Sequence, residues 1–105
     1  MSSPWRGSMG KRVYLVTGDL VFRAKLGAVV RTAGGDLAGA EAAELAVVEV
    51  GGRGWEERVT ELVARGVPVL AFGPHVDVAL LRAARERGAV AVPNSKVEET
   101  LREML

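Results

Sequence analysis

The run Ala46-Val47-Val48-Glu49-Val50, closed by Gly51-Gly52, is the feature that most restricts the fold. A short apolar run rich in valine and bounded by glycine reads as a strand, not a helix. A strand apolar on both sides belongs to a parallel sheet covered by helices. In open sheets of this kind, chemistry gathers outside the carboxyl ends of the strands. Glu49 stands near that edge, either as a working group or as a polar strand end.

Strand and helix patterns alternate five times along the chain. Residues 11–16 (Lys-Arg-Val-Tyr-Leu-Val) form the first strand. Thr17-Gly18-Asp19 turns the chain, with Asp19 as N-cap. Residues 20–33 carry Phe22, Leu26, Val29, Val30 and Ala33 at helical spacing, and Gly34-Gly35 stops that helix. Residues 36–38 make at most a short strand, and the Ala/Glu-rich residues 40–45 one or two helical turns. After the central strand, residues 55–65 form a helix with Val59, Leu62 and Val63 inward, capped by Gly66. Residues 67–72 are a strand, with Pro68 confined to its start. Gly73-Pro74 turns into a helix over 75–87, with Val76, Leu80, Leu81 and Ala84 on its apolar side. Residues 89–92 are the last strand, Pro93-Asn94-Ser95 a loop, and 96–105 the last helix, with Val97, Leu101 and Met104 inward. Short linkers and right-handed crossovers leave an α/β, doubly wound, five-stranded parallel sheet with helices on both faces. The span from Gly34 to Leu45 is too short for a full unit, so the second helix is expected to be shortened. Part of one sheet face should then be less covered, which suggests a partner there.

Composition narrows the function classes. A chain of 105 residues suits one domain, and at this size it can bury about 65% of its unfolded surface. There is no cysteine, which removes disulfide, thiolate and cysteine-metal chemistry and fits a cytoplasmic protein. The net charge of +1 gives no bulk attraction to nucleic acid or membrane. No apolar run reaches membrane-spanning length. Residues 1–10, with Trp5, lack a signal-peptide core and read as a flexible tail, in which Met9 is either the natural start or the mark of an added leader. Residues 11–105 are the expected domain.

The order of these units resembles the receiver domain of bacterial response regulators, a CheY-like, flavodoxin-like fold of strand order 2-1-3-4-5. The likeness runs from Arg12 to the C-terminus. It is best in Pro68-Val69-Leu70-Ala71-Phe72-Gly73 and in Leu80-Leu81-Arg82-Ala83-Ala84-Arg85-Glu86-Arg87-Gly88-Ala89, and Asp19 to Leu26 looks like the first helix. The stretch at 73–77, Gly-Pro-His-Val-Asp, looks like a divergent, stand-alone subfamily. The family's catalytic residues are absent from the matching positions. Thr17 and Gly18 replace the acidic pair that holds magnesium. Glu49 replaces the phosphoacceptor Asp, and Gly73 the switch Ser/Thr. Asn94 replaces the lysine, with Lys96 two residues later, and Ala91 stands near the switch aromatic. The resemblance therefore implies a pseudo-receiver.

Individual residues have plain readings beside the sharper ones. Glu49 can imitate a phosphorylated Asp, share a cation with Asp19, or end its strand in a pair with an arginine. Magnesium usually wants more than one carboxylate in octahedral geometry, so the arginine pairing is preferred. Glu is also one methylene longer than Asp, which misplaces it for in-line attack. His75, alone and without a Ser or Cys partner at a known spacing, reads as capping or surface. Gly51-Gly52-Arg53-Gly54 lacks the Gly-Lys-Ser/Thr ending of a P-loop and reads as a mobile turn. Arg58, Arg65, Arg82, Arg85 and Arg87 interleave with Glu56, Glu57, Glu61 and Glu86, the pattern of a solvated, ion-paired face. Trp55 should cover the edge of the core.

The expected function is a non-catalytic, receiver-like signalling domain that binds other proteins, takes no cofactor and holds no metal. The resemblance to receivers implies a homodimer face over the stretch from Asp77 to Leu105. With no output domain in this sequence, the partner is expected to be another protein. Two alternatives stay open: a residual phosphoryl- or magnesium-binding protein using Asp19, Glu49, Lys96 and the glycine loop, and a small-ligand module at Thr17, Gly51 and Gly73.

Overall fold

The structure, a computed structural model, describes residues 10–105. Residues 1–9, which include Trp5 and Met9 of the expected tail, lie outside the described residues. In chain order the elements are β1 (Arg12–Val16), α1 (Leu20–Thr32), β2 (Asp36–Leu37), a 3-10 turn (Ala40–Ala42), β3 (Leu45–Glu49) and α2 (Trp55–Ala64). These are followed by β4 (Val69–Gly73), α3 (Val78–Glu86), β5 (Val90–Pro93), a second 3-10 turn (Asn94–Lys96) and α4 (Val97–Met104). The five strands are all parallel, in the order β2-β1-β3-β4-β5. This is the doubly wound, flavodoxin-like sheet expected from the alternation.

Side chains alternate across each strand, and the alternation divides the core in two. Leu45 and Val47 of β3, with Leu70 and Phe72 of β4 and Val13 and Leu15 of β1, face α1 and α4. There they meet Leu26, Val29, Val30, Val97 and Leu101. Ala46 and Val48, with Val69, Ala71 and Ala91, face α2 and α3, against Trp55, Val59, Leu62, Leu81 and Ala84. The Phe22 ring meets Phe72 at 5.3 Å between centroids, tilted by 51°. Tilted aromatic pairs add about 0.5–1.5 kcal/mol beyond the area they bury. Gly66 and Gly88 follow α2 and α3 with φ of 81° and 98°. Left-handed backbone of this kind ends a helix at no Cβ cost only in glycine.

A single 3-10 turn stands where a second full helix would lie between β2 and β3, as the short span from Gly34 to Leu45 implied. On that side of the sheet Tyr14 and Val16 of β1 are only half-buried. Trp55 goes deeper than expected. It is buried in the α2–α3 core and does not sit on its edge.

The largest departure from expectation is at the start of α3. The helix begins at Val78 and not at His75. Asp77 N–H donates to the Pro74 carbonyl at 3.0 Å, so residues 74–77 form a turn, and the first helical amide bond runs from Leu81 N–H to the Asp77 carbonyl. Proline fixes its own φ and the backbone after Gly73 must reverse, so the helix cannot start until Asp77 supplies its cap position. His75 is therefore exposed in a turn, and Val76 is 71% exposed and not on an apolar helix face. β4 likewise starts at Val69 and not at residue 67. Pro68 precedes it, its carbonyl accepting from Ala46 N–H at 2.9 Å.

Candidate functional site

β1 and β3 end side by side at the centre of the sheet, with Val16 paired to Val48. The loops leaving them face one another. Thr17 Oγ1 donates to Glu49 Oε1 at 2.7 Å, and Gly18 N–H donates to the same oxygen at 3.2 Å. Asp19 N–H in turn donates to Thr17 Oγ1 at 3.0 Å. The Thr17 hydroxyl is thus a relay: it accepts from the backbone of its own loop and donates across to β3. Its side chain and that of Glu49 are both partly buried, where a charge-assisted bond is stronger than in water.

Asp19 does not join Glu49 around a cation. Its Oδ1 accepts from Val21 N–H at 2.8 Å and from Phe22 N–H at 3.1 Å, capping α1. Capping uses the acid to satisfy free amides at the helix start, where the dipole also favours a negative charge. No group of three or more His, Cys, Asp or Glu side chains that could hold a metal occurs among the described residues. The expected pairing of Glu49 with an arginine is also replaced. Among the described residues its partners are Thr17 and Gly18 of the β1–α1 loop, and no guanidinium lies within 4.0 Å of it.

Gly73 ends β4 beside β3. A Cβ on it would stand 2.5 Å from Cγ2 of Val50 and 3.9 Å from Leu81 Cδ2. Val50 therefore fills the space that a side chain at position 73 would need, and a serine or threonine hydroxyl has no room there in this packing. Asn94 opens the 3-10 turn after β5, and its Oδ1 is buried with no hydrogen-bond partner among the described residues. Lys96 is exposed and lies 3.8 Å from Glu99 on its own helix. Ala91 is buried within the α2–α3 core. Of the residues singled out in the sequence, Thr17, Gly18 and Glu49 come together, Asp19 caps α1, Lys96 lies beside Glu99, and Asn94 Oδ1 has no partner among the described residues.

The β1–β3 junction opens into a cleft of about 510 Å³ lined by Thr17, Gly18, Glu49, Gly51, Arg53 and Arg58, among others. Gly73 does not line it. Sequence pattern alone puts Arg53 in a mobile turn and Arg58 on a solvated face. Both line the cleft with Gly51 and Gly52, in a turn where Gly51, Gly52 and Gly54 take φ values of 90°, 84° and 72° that favour glycine. The expected ion-paired face is sparse. Arg87 meets Glu56 at 3.4 Å, while Arg65 and Arg85 donate to the carbonyls of Ala40 and Ala91.

Comparison with protein-family models and with curated protein sequences finds no match. Solved structures do match. A putative response regulator from Chloroflexus aurantiacus superposes with a TM-score of 0.72 at 18% identity, covering 90% of this chain and 93% of that one. Chemotaxis protein CheY4 of Vibrio cholerae gives 0.69 at 13% identity, covering 91% and 99%. NtrX of Brucella abortus gives 0.71 at 15% identity over 91% of this chain, which spans only 27% of the NtrX chain. The chain has the receiver fold. Within receivers, β1 and β3 carry the acidic pair and the phosphoacceptor that the sequence resemblance aligns with Thr17, Gly18 and Glu49. No helix among the described residues is long and apolar enough to cross a membrane.

Proposed function

We propose that this receiver-fold domain signals through protein contacts and does not accept a phosphoryl group, a pseudo-receiver with no catalytic step. The observation that carries it is the Glu49 carboxylate held at 2.7 Å by the Thr17 hydroxyl, at the place where a receiver would keep an acidic pair. A hydroxyl and a backbone amide both donate to Oε1 of this carboxylate. Phosphoryl transfer needs positive charge on the transferring oxygens. With Asp19 committed to the cap of α1 and Lys96 exposed beside Glu99, neither a metal cradle nor a lysine is gathered around Glu49. The absent side chain at Gly73 and the Val50 methyl against it agree with a site that has no hydroxyl switch.

The partner is another protein in the cytoplasm, and a second copy is the first candidate. The surface from Asp77 to Leu105 includes β5, an edge strand of the sheet, with Val90 48% exposed and Val78 54% exposed at the start of α3. Apolar side chains exposed on an edge strand mark a pairing surface. Sedimentation at micromolar concentration should show dimers weakened by Val90→Lys. Monomers throughout would rule the second copy out and leave a different protein as the partner.

The decisive experiment is incubation with acetyl phosphate and magnesium followed by intact-mass analysis. The mass is expected to stay unchanged. A phosphorylated adduct would refute the non-catalytic assignment. Thermal unfolding with magnesium and beryllium fluoride gives an independent check, since a ligand bound only to the folded state raises the midpoint by mass action. No magnesium-dependent rise is expected.

A further inference from the structure

We infer that the β1–β3 cleft binds a small oxyanion, a phosphate- or carboxylate-bearing molecule, reversibly through Arg53 and Arg58. The inference goes beyond the pseudo-receiver assignment and does not depend on it.

Three surface grooves differ in how their charges are used. Between α1 and α4, a groove of about 400 Å³ contains Lys25, Glu98 and Arg102. There Lys25 lies 3.6 Å from Glu98 and Arg102 lies 3.6 Å from the same carboxylate, so both cations are already paired, although this groove too has a formal charge of +1. A groove of about 260 Å³ along α2 contains Arg87, which is paired to Glu56. The β1–β3 cleft, at about 510 Å³, is different. Neither the Arg53 nor the Arg58 guanidinium has an ion pair or a hydrogen bond among the described residues. The one carboxylate lining the cleft, Glu49, spends Oε1 on Thr17 and Gly18. Two positive groups against one negative leave the cleft with a formal charge of +1.

A guanidinium offers planar paired donors that match the oxygens of phosphate and carboxylate, and two of them in one cleft favour an oxyanion over a neutral ligand. Arg58 is half-buried, so its charge is less screened than that of a fully exposed residue. The volume lies within the range of small-molecule sites. Glu49 keeps one oxygen free of the Thr17 bond, so a ligand with a hydroxyl or amino group next to its oxyanion would meet both signs of charge. No covalent step is involved.

The test is a nuclear magnetic resonance titration of the whole chain with inorganic phosphate and, separately, with succinate. Both are run without magnesium, at ionic strength held constant with chloride, so phosphoryl transfer is not read. Saturable shifts of the Gly18 and Gly51–Trp55 amides are expected with at least one of the two anions, and the anion that saturates assigns the class. Arg53→Gln and Arg58→Gln should each weaken binding about tenfold, the loss expected for one charge-assisted hydrogen bond. Arg82→Gln, an exposed arginine outside the cleft, should leave it unchanged. Shifts that never saturate, that appear only as an adventitious ion effect, or that survive both cleft substitutions would overturn the inference. The amide spectrum of each variant also reports whether it remains folded.

Discussion

Thr17 Oγ1 and Glu49 Oε1 lie 2.7 Å apart, joining the loop after β1 to the end of β3. The two residues are distant in sequence and adjacent only because β1 and β3 pair in parallel. Thr17→Val keeps the shape and removes the donor. It should cost about 1 kcal/mol in urea unfolding, the net worth of a hydrogen bond plus part of the penalty for an unpaired acceptor. In a double-mutant cycle with Glu49→Ala the losses should not add. Additivity within about 0.5 kcal/mol would mean the bond contributes nothing.

Gly73 and Val50 interlock, and their relationship predicts a rescue. Gly73→Ala places a methyl 2.5 Å from Val50 Cγ2, closer than real contacts allow. Overpacking of this kind should cost about 1–3 kcal/mol. Val50→Ala removes the obstructing methyl, so the double variant should be more stable than the sum of the two single losses predicts. Gly73→Ala with the parent's chemical-denaturation midpoint would show that β4 and Val50 are not locked together.

Asp19 caps α1 and does not act as a ligand. Asp19→Ala should therefore destabilise by about 1 kcal/mol, whereas Asp19→Asn, a comparable cap, should keep most of the stability. Circular dichroism thermal melts without and with magnesium would separate the roles. A magnesium-dependent stabilisation of the parent that is lost in Asp19→Asn would point to a ligand.

Val76 and Leu101 test where the apolar surface is buried. Leu101 is 0% exposed between α4 and the sheet, so Leu101→Ala should cost about 2–5 kcal/mol. Val76 is 71% exposed, so Val76→Ser should change stability by less than about 0.5 kcal/mol. A large loss from Val76→Ser would indicate that the turn at 74–77 packs as part of a helix after all.

Much of the fold was legible because it rests on short-range pattern. The alternating strand and helix periods at 46–50 and 55–63, and the glycines after α1, α2 and α3, act within a turn or two of chain, where sequence spacing and spatial neighbourhood coincide. The limit of that reading shows at 75–77. There an apolar valine matched a helical spacing, but Pro74 and the turn it enforces were stronger than the periodicity. The shortened second helix was legible from length alone, since the twelve residues from Gly34 to Leu45 inclusive leave no room for a strand and a full helix.

The sequence by itself determined the element order, the central place of the run at 46–50, and the lack of acids at 17 and 18. These follow from residue identity and from local spacing. Only the tertiary structure decided what Glu49 touches, that Val50 fills the space beside Gly73, and that Arg53 and Arg58 share a cleft. Each of those is a relation between residues brought together by parallel strand pairing or by a loop's path, and no local pattern encodes which side chains then meet.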